Sequence, residues 1–340
     1  MCGVQAQLLP AAELALWARV EGVERGDLQK SLFKDRVLFR TWSMRGTLHL
    51  LPSAEFQMYI GALMTRTGYR RGAWLRYFGV SLEEIDRIVA SIGKAVGAGP
   101  LTRKELARKI SRSQGEHLRE KLLSGWGELL KPAAYNGLLA CGPDRHGEAT
   151  YVRADRWLGA EPNYDPDESM KDVLRHYLGS YGPAKHDDFA RWWGTQPAPA
   201  KRLFKSIQEE LVQVDIEGYD AWITKQALES LEDVHQDPQV RLLPNFDSYV
   251  LGFRPRNSFI KDDFARLVFR PQAWISPVLL VDGRIAGTWE RRSHKDRNEL
   301  GVNLFISLTK NQREGLQDET SRMSEYFGYD LSVRFAPGPQ

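Results

Sequence analysis

A chain of 340 residues exceeds what one hydrophobic core usually supports and reads as two or three domains. Its net charge of +3 cannot by itself bind a polyanion, so any nucleic-acid surface must come from local clusters of Lys and Arg. Two cysteines and seven scattered histidines argue against a disulfide framework or a zinc site, and the chain shows neither a signal peptide nor an apolar run of the ~20 residues that a membrane span needs.

Near its start the chain reads Gly3-Val4-Gln5-Ala6-Gln7. In an extended backbone alternate side chains share a face, so Gln5 and Gln7 reach one site, where paired carboxamides can hold a water molecule. Pro10 suits the first turn of a helix, and Leu14, Trp17 and Val20 recur at helical spacing before Gly22 and Gly26 interrupt. Val37 to Trp42 is β-rich and apolar enough for a buried strand, and Pro52-Ser53 opens another helix. Arg45-Gly46-Thr47-Leu48-His49-Leu50 falls between them, on a short connection or strand end. Arg66, Arg70, Arg71 and Arg76 then interleave with Tyr69, Trp74 and Tyr77, the pattern of a phosphate-facing surface with stacking groups, or of a solvated basic face.

Ser81 with Glu84 makes a capping box ahead of an Ile85, Ile88, Val89, Ile92, Val96 stripe, and Thr102 with Glu105 makes a second. A third helix carries Leu118, Leu122, Trp126 and Leu129, and β runs flank Gly142 to Gly147. Three helices and a hairpin predict a winged helix over residues 81–160. The pattern recurs over 167–230: Gly182 to Arg191 aligns with Gly99 to Arg108, matching Gly, Pro, Ala and Arg in register, and a Glu217-Gly218 turn closes a second wing. The acidic, turn-rich Glu161 to Pro166 reads as a linker. From residue 238 the texture is β. Asp282-Gly283, between Trp274–Val281 and Arg284–Trp289, is a strong two-residue hairpin signal, and Thr309 to Phe327 is helical. Arg291, Arg292, His294, Lys295 and Arg297 follow, five potentially cationic groups within seven residues, with Trp289 just ahead. This cluster suits DNA best, with a solvated strand end as the plain alternative.

The Gln5/Gln7 pair, the Arg45 to Leu50 segment and Leu242-Leu243-Pro244-Asn245-Phe246-Asp247-Ser248-Tyr249-Val250-Leu251-Gly252 together resemble the AlkZ-like winged-helix DNA glycosylases, over nearly the whole chain. The resemblance implies an α+β fold of tandem winged helices and a β-rich C-terminal domain, residues 238–340, together forming a concave DNA-binding scaffold whose first 80 residues carry the glutamines. It implies Gln5 and Gln7 as the catalytic pair, positioning water near the deoxyribose C1′ and contacting the sugar. Arg45, Thr47, His49, Asn245, Asp247 and Tyr249 are the expected supports, although Asn245 and Asp247 could equally satisfy backbone donors of a buried turn. Arg254, Arg256, Trp289, Arg291, Arg292, His294 and Lys295 are the expected DNA contacts, with the Asp282-Gly283 hairpin and its basic continuation probing the minor groove. Family members carry about one further helix before their glutamines. Met1 leaves no room for it here, so either the start lies upstream or support for the site comes from elsewhere.

An ordinary glycosidase needs two carboxylates, and no such pair stands out. A purine alkylated at N7 or N3 is already cationic, so its glycosidic bond needs no strong general acid and polar groups could suffice. A base crosslinked to the opposite strand cannot swing out of the helix while tethered, so the enzyme must reach in from a groove. The reading is therefore a monofunctional glycosylase for bulky or crosslinked alkylpurines in duplex DNA, leaving an abasic site, without metal or cofactor, monomeric and with no obligate protein partner, in the cytoplasm with the nucleoid. Lesions from antibiotics of the same or neighbouring organisms are plausible substrates. A winged-helix transcriptional regulator and a catalytically dead scaffold are the alternatives; the expected third helices are poor in the Arg, Asn and Gln that read base edges.

Overall fold

The glutamine segment becomes the edge strand of a small sheet. Val4–Gln5 (β1), Leu38–Trp42 (β2) and Leu48–Pro52 (β3) pair antiparallel in the order β1-β3-β2, so that His49 stands directly across from Gln5 on one side and Thr41 on the other. The computed structural model describes residues 1–125, 127–161, 163–230, 239–293 and 297–336. Leu9–Trp17 (α1) carries Pro10 in its first turn as expected, but buries an alanine face, Ala11, Ala12 and Ala15, with Trp17; Val20 lies past the helix end and is 50% exposed. Asp27–Phe33 (α2), Phe56–Met64 (α3) and Gly72–Phe78 (α4) complete the N-terminal segment.

In the first winged unit, Leu82–Val96 (α5) and Arg103–Gln114 (α6) start at the two expected capping boxes, with Leu101–Thr102 (β4) between them. The expected third helix is broken. Arg119–Leu123 (α7) and Lys131–Tyr135 (α8) are separated by a turn in which Gly127 takes φ +65°, and a Cβ there would stand 2.5 Å from the Trp42 ring. Leu118, Leu122 and Leu129 are still buried, whereas Trp126 lies outside the described residues. Ala140–Arg145 (β5) and Glu148–Val152 (β6) form the wing, and Ala154–Leu158 (α9) follows.

The second unit repeats the order with Pro166–Tyr181 (α10), His186–Trp193 (α11), Pro197–Ser206 (α12), Leu211–Ile216 (β7) and Tyr219–Thr224 (β8), then Lys225–Glu229 (α13). The register of the repeat holds at individual hydrogen bonds. Leu101 pairs with Tyr151 of β6, and Ala184, its counterpart, bridges Trp222 of β8; Glu105 accepts from the Thr102 amide, and Asp188 accepts from the Lys185 amide. One hydrophobic core runs from Cys2 to Leu211 through the N-terminal segment and both units. Within it α3 crosses α10 so closely that a Cβ on Gly61 would lie 2.1 Å from Ser169 Oγ.

The C-terminal part has its own core, which also takes in Trp17 and Ala18. Val240–Leu243 (β9), Ser248–Gly252 (α14), Asp262–Val268 (α15), Val278–Val281 (β10), Arg284–Ser293 (β11), Asn298–Leu304 (β12), Lys310–Phe327 (α16) and Leu331–Phe335 (β13) follow one another. The sheet order is β13-β12-β11-β10-β9, antiparallel except for β13, which joins β12 in parallel after the α16 crossover. The Asp282-Gly283 turn is present with both φ positive, but it is not a free probe. Tyr249 Oη donates to the Gly283 carbonyl at 2.7 Å, and Asp282 Oδ1 accepts from the Gln239 amide at 3.0 Å. In the next strand, β11, Glu290 to Ser293 all face solvent. No helix among the described residues is long and apolar enough to cross a membrane.

Two struts fasten the glutamine segment to this C-terminal part. Asp247, 0% exposed, receives both ends of the Arg19 guanidinium at 2.6 and 2.8 Å while capping α14 through the Tyr249 amide, and Ser248 Oγ donates to the Gly3 carbonyl at 3.2 Å. Asp247→Ala leaves a partly buried guanidinium without its carboxylate and uncaps a helix, and should cost about 2 kcal/mol in urea unfolding, whereas a cost below about 0.5 kcal/mol would show the pair to be effectively solvated.

Candidate active site

Gln5 is only 9% exposed, and its Oε1 accepts from Arg45 Nη2 at 2.8 Å. A guanidinium has no acceptor, so the carboxamide must turn its oxygen to Arg45 and its nitrogen away. The exposed Gln7 is fixed by the same logic, because its Oε1 accepts from the Leu48 backbone N–H at 3.3 Å. Neither amide nitrogen has a partner among the described residues.

Arg45 reaches Gln5 because the β2–β3 connection places it in the left-handed region, φ +55°, with Gly46 following at +68°. Its Nη1 donates to the Trp192 carbonyl at 2.7 Å, and Arg66 Nη2 donates to the carbonyls of Trp193 at 2.8 Å and Gly194 at 2.9 Å. These are the terminal carbonyls of α11, which lack intrahelical donors and mark the negative end of the helix dipole. Gly194, at φ +84°, admits both arginines: a Cβ would lie 2.6 Å from Arg66 Nη2 and 2.9 Å from Arg45 Cα. The sequence reading did not find this role of Arg66 or of Trp192 and Trp193. The glycine after Trp193 was the available signal for a helix end.

His49 completes the cluster from across the strand pair. Its Nδ1 lies 3.0 Å from the Thr47 carbonyl, to which only a protonated nitrogen can bond, so Nε2, 3.3 Å from Arg45 Nη2, is the acceptor. Burial, and then the Arg45 charge, push its pKa down to about 3. Thr47 turns its hydroxyl onto the Met44 carbonyl at 3.1 Å and contributes its backbone to His49. Gln5, Arg45 and His49 are therefore one connected group, with Gln7 beside it. Among the described residues no carboxylate bonds to any of the four, and no cluster of His, Cys, Asp or Glu could hold a metal.

The other expected residues divide. Asn245 donates to the Ile275 carbonyl at 3.1 Å, and with Asp247 and Tyr249 it serves the frame around Gly3 and the Gly283 turn; none of the three bonds to a glutamine. Trp289 is not a DNA contact: it is 7% exposed and its indole N–H donates to the Leu243 carbonyl at 2.9 Å. Arg291 lies over the Phe327 ring at 4.3 Å and donates to Tyr329 Oη, and Arg292 pairs with Glu290, both at the exposed end of β11. His294 and Lys295 lie outside the described residues. Of the earlier basic run, Arg66 is committed to α11, Arg70 pairs with Asp86 at 2.5 Å, and Trp74 packs on Phe78, which leaves Arg71, Arg76 and the 80% exposed Tyr77 facing solvent.

Arg254 is half-buried, and the exposed Arg256 stacks on Phe269 at 3.8 Å. Burial, then Arg256 and Arg191, push Arg254 down to about 10; burial, then Arg191, lowers Arg256. Burial, Arg66 and Arg254 outweigh Tyr181 at Arg45, which is also brought down to about 10. Cations crowding one another in this way attract an anion. Beyond Gln7 an open groove of about 1260 Å³ passes Leu8, Pro10 and Asn245 to Arg266, Arg270 and Arg291.

A pH titration checks the His49 assignment. With a folded-state pKa of about 3 against about 6.5 unfolded, the unfolded chain binds the extra proton between these values, so the His49 contribution is complete above about pH 6.5 and is lost as pH falls toward 3. His49→Gln should flatten the decline of stability over this interval. An unchanged slope would show that His49 titrates as an exposed imidazole does.

The family model described as "DNA glycosylase AlkZ-like" matches residues 1–326. A protein of Streptomyces sahachiroi described as an interstrand DNA cross-link repair glycosylase is 35% identical over 298 residues, which is 85% of this chain and 80% of that protein. The solved structure of Streptomyces sahachiroi DNA glycosylase AlkZ superposes with a TM-score of 0.87 at 31% identity, covering 98% of this chain and 91% of the other. These matches do not favour the regulator reading. With the winged-helix repeat, the β-rich C-terminal part and the glutamine cluster in place, the chain belongs to the AlkZ-like DNA glycosylase family, hydrolases acting on N-glycosyl bonds.

Proposed function

We propose that this enzyme excises cationic alkylpurines from duplex DNA, among them bulky N7-alkylguanines and the interstrand crosslinks named in its Streptomyces relative, with Gln5 and Gln7 as the groups that meet the reacting nucleotide. The observation that supports this most is the Gln5–Arg45–His49 group: a half-buried polar site, bonded to no carboxylate among the described residues, whose open hydrogen-bonding ends include the amide nitrogens of Gln5 and Gln7. Such a site lacks a strong acid to protonate a neutral base. It suits a base that already carries positive charge and departs as a neutral molecule.

Arginines supply the affinity. Arg254 and Arg256 lie where like charges crowd and a DNA phosphate would relieve them, while Arg291 and Arg292 offer phosphate contacts at the end of the β11–β12 hairpin. The minor groove is the expected place for the anchored Asp282-Gly283 turn and the basic strand that follows it. The reading is of a monomeric enzyme acting on DNA without an obligate protein partner.

Purified protein incubated with duplex containing N7-methylguanine should generate alkali-labile abasic sites. Gln5→Ala and Gln7→Ala should each slow single-turnover excision by ~10²–10³ with duplex affinity within about threefold of wild type, since neither amide neutralises a phosphate. Equal rates in wild type and both variants would move the site elsewhere, and no excision at all would favour a dead scaffold. Arg291→Ala with Arg292→Ala should weaken binding to unrelated sequences alike and reduce the salt slope, which would stay unchanged if these side chains only face solvent.

A further inference from the structure

The second winged unit carries a cleft of about 360 Å³ where α12 meets the β7–β8 wing. His186, the first residue of α11, stands at its edge with its ring edge-on to Phe204, whereas Arg45 and Arg66 bond to carbonyls at the last residues of the same helix. A helix of eight residues spans ~12 Å, so the cleft and the Gln5 group sit at opposite ends of α11.

The floor of the cleft is apolar. Phe204 comes from α12, and Leu211 and Trp222 come from the two wing strands; Leu211 and Gln213 share a face of β7, and Trp222 pairs with Gln213, so both apolar side chains belong to the same side of the wing. The rim is cationic. Lys201 and Lys205, four positions apart, share the face of α12 that carries Phe204, and Arg202 stands beside them. All three are exposed and without an ion pair among the described residues, and no carboxylate lines the cleft. On neighbouring α10, by contrast, Arg175 is paired with both Asp172 and Glu210.

We propose that this cleft docks an acidic peptide with one apolar anchor, presented by another protein. The floor calls for an apolar side chain and the rim for negative charge on either side of it. Duplex DNA meets only the second demand, because its backbone offers phosphates and sugars and its major-groove edges are polar apart from the thymine methyl. A Leu or Phe flanked by Asp and Glu meets both. Its side chain displaces water from Phe204 and Trp222, which supplies affinity, while carboxylates facing Lys201, Arg202 and Lys205 select the sign of the partner. Such a partner is an accessory one that places the enzyme. Neither the chemistry at Gln5 nor the glycosylase reading enters the argument.

The probe is a fluorescein-labelled peptide, a run of Asp ending in Leu-Phe, titrated with the whole chain and followed by fluorescence anisotropy. Binding should saturate and weaken as salt rises. Lys201→Glu with Lys205→Glu should weaken it roughly tenfold or more, whereas Arg291→Glu with Arg292→Glu, the same change of charge elsewhere, should leave it within about twofold. Replacing Leu-Phe in the peptide by Ser-Ser should also weaken binding roughly tenfold, a loss that involves no change in the protein's fold. No binding by wild type, equal losses in the two charge-reversal variants, or equally tight binding of the Ser-Ser peptide would each overturn the proposal. Lesion-free duplex provides the last arm: the Lys201/Lys205 variant should bind it within about threefold of wild type, and a loss as large as the peptide's would assign the cleft to the DNA surface instead.

Discussion

The guanidinium of Arg45 is the contact on which the site depends. Its donors reach Gln5 Oε1 on the edge strand, His49 Nε2 on the central strand and the Trp192 carbonyl at the end of α11, so one rigid group ties the N-terminal sheet to the second winged unit. Hydrogen bonds to a charged group are worth about 1.5–3 kcal/mol each when the alternative is a buried unsatisfied partner. Burial acts against that charge and brings the Arg45 pKa down to about 10, which still leaves it ionised at neutral pH. The carbonyl end of α11 is what makes a second buried cation, Arg66, tolerable beside it. In a winged-helix regulator a helix is used for its side chains in the major groove. Here a helix of the second unit contributes its terminal carbonyls to the group around Gln5.

Where local chemistry decides structure, the sequence was sufficient. Both capping boxes, both wings and the Asp282-Gly283 turn form where their residues require, and the alignment of Gly99 to Arg108 with Gly182 to Arg191 survives as matching bridges and caps. The Gln5, Arg45, His49 cluster was legible too, because strand pairing brings Gln5 and His49 together and the intervening turn returns Arg45 to them. The misses share a cause, which is that a side chain's partner lay far away in sequence. Asp247 does cap its own turn, but its main partner is Arg19, 228 residues away, and Trp289 looked like a stacking group until its N–H found the carbonyl of Leu243. The break between α7 and α8 was signalled by Gly125 and Gly127, which a continuous leucine stripe made easy to pass over.

Charge is distributed in keeping with a polyanionic substrate. A net charge of +3 says little, yet after burial Arg66 and Arg254 lower Arg45, Arg256 and Arg191 lower Arg254, and Arg191 lowers Arg256. Cations in such a setting are stabilised when an anion arrives. Many of the exposed cations, among them Arg70, Arg175 and Arg292, are instead paired with carboxylates on the surface.

The most direct measurement of the central constraint is a double-mutant cycle between Gln5→Ala and Arg45→Met, read as single-turnover excision of N7-methylguanine with duplex affinity measured alongside. If Arg45 acts by orienting Gln5, Arg45→Met alone should slow excision at least tenfold with affinity within about threefold, and the double variant should be no slower than Gln5→Ala. Two effects that multiply would mean that Arg45 contributes independently of Gln5, and an Arg45→Met enzyme as fast as wild type would contradict the account altogether.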